Sequence, residues 1–152
     1  MQKVNLHSKF TIFKTAFCFV LVSLFGFIPL DVHKELIVIG NPSTVKSNMS
    51  KSRFDEILHG SQTKWDNGEK VMIALMKFNH PTGKLTANEL YNMSGNEMNR
   101  LWLNLVFEGK ADGPATFSDE GDLVDYVLNT PSAIGIVSKT TNVRNARKIT
   151  VK

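Results

Sequence analysis

The chain has 152 residues, with 18 Lys and Arg against 14 Asp and Glu, and a single cysteine. That length fits one domain. One thiol excludes a disulfide framework or a cysteine metal cluster, and a net charge of +4, most of it carried by the first 30 residues, supplies no basic stripe for nucleic acid.

The first 30 residues differ from the rest. Lys3, Lys9 and Lys14 lead into an uncharged run, Thr15 to Leu30, and no acid occurs before Asp31. A basic start followed by an apolar stretch shorter than the ~20 residues of a membrane span reads as a secretory signal peptide. An uncleaved N-terminal anchor is the alternative. Residues 31–152 are then the domain proper, and the expected localisation is periplasmic. Beyond residue 30, 15 Lys and Arg face all 14 acids, so the basic balance belongs largely to the leader. Cys18 falls inside the apolar run and lacks a lipid-attachment context, which leaves the domain itself without a thiol.

Glu35 to Ile39 is a short apolar run closed by Gly40-Asn41-Pro42, the pattern of a buried strand. Ser50 is placed to cap a helix carrying Phe54, Ile57 and Leu58, with Gly60 as its stop. Trp65-Asp66-Asn67-Gly68 is a turn, and Val71 to Phe78 is a second strand bounded by Asn79, Pro81 and Gly83. Two capping-box patterns follow, Thr86 with Glu89 and Ser94 with Glu97. After Ser94, the residues Met98, Leu101, Trp102, Leu105 and Val106 recur on one helical face, and Gly109 ends the helix. Ser118 is the expected cap of a further helix with Leu123, Val124, Val127 and Leu128, stopped by Pro131. Ala133 to Val137 reads as a third buried strand, and Lys148 to Val151 as a fourth at an edge. Strands alternating with helices predict a three-layer α/β fold, a mainly parallel or mixed sheet of about four strands flanked by helices.

Four segments, in order, resemble the type 2 periplasmic binding-protein fold, and more narrowly the phosphate-binding component of bacterial phosphate ABC transporters. They are Ile39-Gly40-Asn41-Pro42-Ser43; Phe54 to Gly60 followed by Trp65-Asp66-Asn67-Gly68; Leu101-Trp102 through Phe107-Glu108-Gly109-Lys110; and Thr130-Pro131-Ser132-Ala133-Ile134-Gly135-Ile136-Val137. The resemblance covers residues 35 to 138, one lobe of a protein that closes two lobes on its ligand. It implies reversible capture of phosphate or a similar oxyanion, without a cofactor, and an ABC-transporter or other envelope protein as partner. A homodimer that rebuilds a two-lobed cleft is a further partner reading. Where the family has Arg-x-x-Gly-Ser-Gly-Thr after its second strand, this chain has Lys77-Phe78-Asn79-His80-Pro81-Thr82-Gly83-Lys84-Leu85-Thr86, with Thr82-Gly83-Lys84 nearest to Ser-Gly-Thr.

Thr82, Gly83, Lys84 and Thr86 form the leading ligand-binding set. A glycine-containing turn into a helix offers backbone N–H groups and a positive dipole end to an oxyanion, and a hydroxyl and an ammonium add donors. A plain loop capped by Thr86 is the alternative. This is not a nucleotide-binding P-loop, because Phe78 stands where the first glycine is required and Leu85 where Ser or Thr is. Ser43 and Thr44 follow the first strand, and ligands of open α/β sheets bind at strand carboxyl ends; a capped turn is the alternative there.

Trp102 reads as a core anchor, and Trp65 as a turn residue available to stack on a partner. His59 suits a helix C-terminus. His80 flanks the candidate loop, but with no second His or acid nearby no metal site is expected. Asp119, Glu120, Asp122 and Asp125 read as acids serving a helix dipole. No nucleophile–base pair or paired carboxylates point to an enzyme. Two functions remain: an exported small-anion binding module with phosphate as leading ligand, and an envelope accessory protein that keeps the fold without the ligand.

Overall fold

The computed structural model describes residues 36–152. The expected leader, with its Cys18, and the expected domain boundary at residue 31 lie outside the described residues. In chain order the elements are β1 (Leu36–Gly40), β2 (Asn48–Met49), α1 (Lys51–Leu58), β3 (Met72–Met76), α2 (Pro81–Leu90), α3 (Gly95–Phe107), β4 (Ala115–Phe117), α4 (Glu120–Asn129), β5 (Ala133–Ser138) and β6 (Arg147–Val151). No helix among the described residues is long and apolar enough to cross a membrane.

The strands form one six-stranded sheet in the order β2-β6-β1-β5-β3-β4. β3 runs parallel to β4 and β5, and β2 parallel to β6, whereas β1 is antiparallel to both β5 and β6. The sheet is therefore mixed, with β1 inverted among strands that otherwise point the same way. All four expected strands are present, but β6 is not an edge. The two-residue β2 covers it, and the three-residue β4 forms the other edge. Segments this short carry no readable alternation.

Helix starts follow local chemistry. The Ser50 hydroxyl accepts from the Arg53 N–H at the head of α1. Ser94 and Glu97 complete a reciprocal capping box on α3. Two expected caps move. α2 begins at Pro81 rather than after Thr86, because proline presets φ for a first helical position and His80 Nδ1 accepts from the Thr82 N–H at 3.2 Å. Thr86 then lies mid-helix, donating its hydroxyl to the Thr82 carbonyl at 2.8 Å. α4 is capped by Asp119 rather than Ser118, its carboxylate accepting from the N–H groups of Gly121 and Asp122.

The period-two alternation of the strands splits the core into two layers. On one face Ile73, Leu75, Ile134 and Ile136 pack with Phe54, Ile57 and Leu58 of α1, Ala87 of α2, and Met98 and Trp102 of α3. On the other, Ile39, Ala74, Met76, Ala133 and Val137 meet Leu123, Val124 and Val127 of α4. Burying each such aliphatic side chain contributes ~2 kcal/mol. A Cβ at Gly135 would lie 2.6 Å from Leu123 Cδ2 and 2.9 Å from Val127 Cγ2. The glycine of Ala-Ile-Gly-Ile-Val is what lets α4 sit this close to β5. Trp102 is the anchor expected, its indole N–H donating to the buried Tyr91 hydroxyl at 3.2 Å. Val106, assigned to the same apolar face, is instead 46% exposed.

Candidate functional site

β3, β4 and β5 are parallel, so their carboxyl ends meet at one rim of the sheet. Lys77 N–H donates to the Phe117 carbonyl at 2.9 Å and ties the ends of β3 and β4 together. From this rim the chain enters α2 after β3, α4 after β4, and, from Ser138 at the end of β5, the loop that carries Thr141. These three departures converge on one carboxylate. The Thr82 hydroxyl donates to Glu120 Oε1, while the Ser138 N–H (3.1 Å) and the Thr141 hydroxyl donate to Oε2. Glu120 is half-buried. Both oxygens of this carboxylate seat are engaged, at the rim where open α/β sheets bind ligands.

Of the set Thr82, Gly83, Lys84 and Thr86, only the Thr82 side chain reaches the seat. Gly83 serves close approach instead: a Cβ there would lie 2.1 Å from the Lys77 carbonyl oxygen. Lys84 is exposed on α2, and the Thr86 hydroxyl is buried and committed to its own helix. Ser138, Thr141 and Glu120 were not singled out as ligand residues from the sequence. Their common signal is position, since Ser138 ends a strand and Glu120 and Thr141 lie just beyond one, but nothing in their local pattern marks them as ligand residues.

Ser43 and Thr44 lie at the opposite rim. Gly40, the last residue of β1, pairs with Ile134 at the start of β5, because β1 is inverted. The carboxyl end of β1 therefore faces the amino ends of β3 and β5, and one small ligand cannot touch both Thr44 and Thr82. The loop after β1 has structural work instead. Asn41 is buried, its Nδ2 donating to the carbonyls of Val127 (3.0 Å) and Leu128 (3.1 Å) at the end of α4. Its Oδ1 accepts from the Ser43 N–H at 3.0 Å and the Thr44 hydroxyl at 3.4 Å.

Thr44 Oγ1 in turn accepts from the N–H of Ser132 at 2.7 Å, a residue held at φ +64°. The Ser132 carbonyl takes the Trp65 indole N–H at 2.9 Å, and its hydroxyl donates to Glu69. That hydroxyl, followed by the Asn67 side chain, holds the Glu69 carboxyl below the usual range. Trp65 is thus fixed within the chain, with the Arg53 guanidinium 5.6 Å from its ring centroid and paired to Asp66 at 2.7 Å. Beside it lies a cavity of about 370 Å³ lined by Thr44, Lys46, Asn48, Arg53 and Asp66.

A second feature opens between α3 and the β3–β4 edge. It is a groove of about 380 Å³ lined by Leu75, Phe78, Met98, Trp102, Leu103 and Val106 among others. Phe78, Leu103 and Val106 on its walls are 42–48% exposed, and Phe107 at the end of α3 is 86% exposed. Among the described residues no group of His, Cys, Asp and Glu is arranged to hold a metal ion.

No protein-family model matches the sequence, and no curated protein sequence matches it. Solved structures do match its fold. PstS from Borrelia burgdorferi superposes with a TM-score of 0.56 at 17% identity, over 77% of this chain and 47% of its own. A putative phosphate ABC transporter substrate-binding protein from Clostridium perfringens, crystallised with bound phosphate, gives 0.55 at 13% identity over 77% and 44%. An ABC-type phosphate transport receptor from Vibrio cholerae gives 0.51 at 13% identity over 77% and 46%. The chain has a periplasmic-binding-protein-like fold, related to that of phosphate-binding proteins. It spans less than half the length of each of these three structures.

Proposed function

We propose that this chain is an exported small-oxyanion binding module of the bacterial envelope, with phosphate as its leading ligand. The observation that carries the reading is the convergence of Thr82, Ser138 and Thr141 on a carboxylate at the carboxyl ends of parallel strands. Three donors from three segments, beside the start of the ten-residue α2, suit the oxygens of a tetrahedral anion. The fold shared with phosphate-binding proteins supports the ligand class. The chemistry is reversible capture, with no bond made or broken. The apolar leader supports export to the periplasm, and the fold supports an ABC transporter as the downstream partner. Capture by one lobe leaves the anion open to solvent, so affinity is expected to be weak.

Isothermal titration of the full chain with phosphate, with sulfate in parallel, tests this. Saturable heat that disappears in Thr82→Ala is the expected result. A folded protein giving no saturable heat at tens of millimolar phosphate, in the wild type and in variants that free the three donors, removes the reading. The accessory-protein reading then takes its place. One observation favours that second reading, the exposed apolar groove beside Phe78, Leu103 and Val106, since apolar patches of this kind mark protein contacts.

A further inference from the structure

We propose that Glu120 is a tethered occupant of the oxyanion seat, a built-in competitor that an incoming anion must displace. The inference rests on the seat proposed above. Glu120 is the first residue of α4, where an acid ordinarily serves the helix dipole. Here Asp119 already caps that helix, accepting from Gly121 N–H at 2.7 Å and Asp122 N–H at 3.2 Å. Glu120 instead turns away from its own helix. It reaches α2 through Thr82, the end of β5 through Ser138, and the following loop through Thr141.

A carboxylate and a phosphate edge present the same pair of anionic oxygens, so the donors that hold one are available to the other. They cannot hold both, because two anions a few ångströms apart repel. The tether decides the contest at ordinary concentrations. A group on a short linker acts at an effective concentration in the millimolar range, and the apparent affinity of a free ligand falls by the fraction of time the seat stands open. Glu120 is half-buried rather than sealed in the core, so a displaced carboxylate has water to enter.

Glu120→Ala in the full chain is expected to bind phosphate at least about tenfold more tightly than the wild type, about 1.4 kcal/mol. Glu120→Gln, neutral but still occupying the seat, is expected to fall between them. Thr82→Ala in the Glu120→Ala background is expected to lose the gain. Circular dichroism and thermal melts establish that each variant is folded. If Glu120→Ala does not fold, Glu120→Gln carries the comparison, and the wild type supplies an independent readout. Phosphate should shift the Ser138 amide resonance as its partner changes from carboxylate to phosphate.

Equal phosphate affinity in wild type and folded Glu120 variants overturns the tethered-occupant inference and leaves the oxyanion module standing. No binding by any of them removes both. Tighter binding that survives Thr82→Ala also overturns it, because the gain then arises from the loss of a negative charge and not from vacating this seat.

Discussion

Asn41→Asp isolates the structural reading of the loop after β1. The wild-type amide makes four hydrogen bonds, donating to the Val127 and Leu128 carbonyls and accepting from Ser43 and Thr44. Aspartate keeps the two acceptor contacts and loses both donors. It also sets an anionic oxygen about 3 Å from two carbonyls at the negative end of α4. Two lost hydrogen bonds cost about 1 kcal/mol each, and the unfavourable dipole end adds about 1 kcal/mol, so the loss at neutral pH is about 3 kcal/mol. Domains of this size are stable by ~5–15 kcal/mol, so the effect is large enough to resolve.

The sign of its pH dependence follows from the surroundings. Carbonyls facing the introduced carboxyl group disfavour its charged form and raise its folded-state pKa above the unfolded value. The variant therefore retains most stability below the unfolded carboxyl range and loses it as pH rises through the folded pKa. Urea unfolding of wild type and variant at pH 4 and pH 7, compared as differences, measures this. Asn41→Leu, which lacks the cap without adding charge, should show a deficit that does not change with pH. An Asn41→Asp deficit that is equal at both pH values, or below about 1 kcal/mol, refutes the assignment of Asn41 as the clamp on α4.

Gly83→Ala places a Cβ against the Lys77 carbonyl oxygen. Overpacking against backbone costs ~1–3 kcal/mol, and a drop in Tm of several degrees is expected, whereas the exposed Lys84→Ala should leave Tm nearly unchanged. Ser94→Ala removes the cap of α3 and is expected to cost ~1 kcal/mol in chemical denaturation. The Ser94 hydroxyl, then its backbone N–H, hold the Glu97 carboxyl below its usual range. The stability this supplies is present above the unfolded carboxyl pKa and is lost as pH falls through the folded one. The acid side of the stability profile should therefore be shallower in Ser94→Ala than in wild type.

The residues made the class of fold legible because strand runs such as Leu36–Gly40 and Ala133–Ser138 and the α3 capping box are local patterns with local causes. Strand direction is not such a pattern. Nothing in Leu-Ile-Val-Ile-Gly distinguishes a parallel from an antiparallel neighbour, yet direction decides which rim of the sheet Ser43 and Thr44 occupy. Because β1 is inverted, the carboxyl end that carries Ser43 and Thr44 lies at the rim opposite Thr82. The cap of α2 was missed for a related reason. Thr86 and Glu89 satisfy the capping spacing, but Pro81 starts the helix earlier and His80 serves as an unusual cap. Thr82 stands out in the sequence because a turn-to-helix junction is visible there. Glu120, Ser138 and Thr141 do not, because their convergence is created by three parallel strands ending together.

That convergence also explains why the seat is filled from within. Charge-assisted hydrogen bonds contribute ~1.5–3 kcal/mol each, and three donors offer them to any suitable anion. A free phosphate must also meet the cost of lost translation and rotation, ~4–15 kcal/mol at standard state. Glu120 has already met it through the covalent chain, and gives up only the rotamer freedom of one side chain, ~2 kcal/mol or less. With the same donors on both sides of the exchange, the entropy difference decides the outcome, and it favours the tethered group unless the free anion is concentrated or makes contacts that Glu120 does not. A second lobe closing over the ligand supplies such contacts in a two-lobed binding protein. In a chain that matches less than half of such a structure, an equivalent closing surface would tip the exchange toward phosphate.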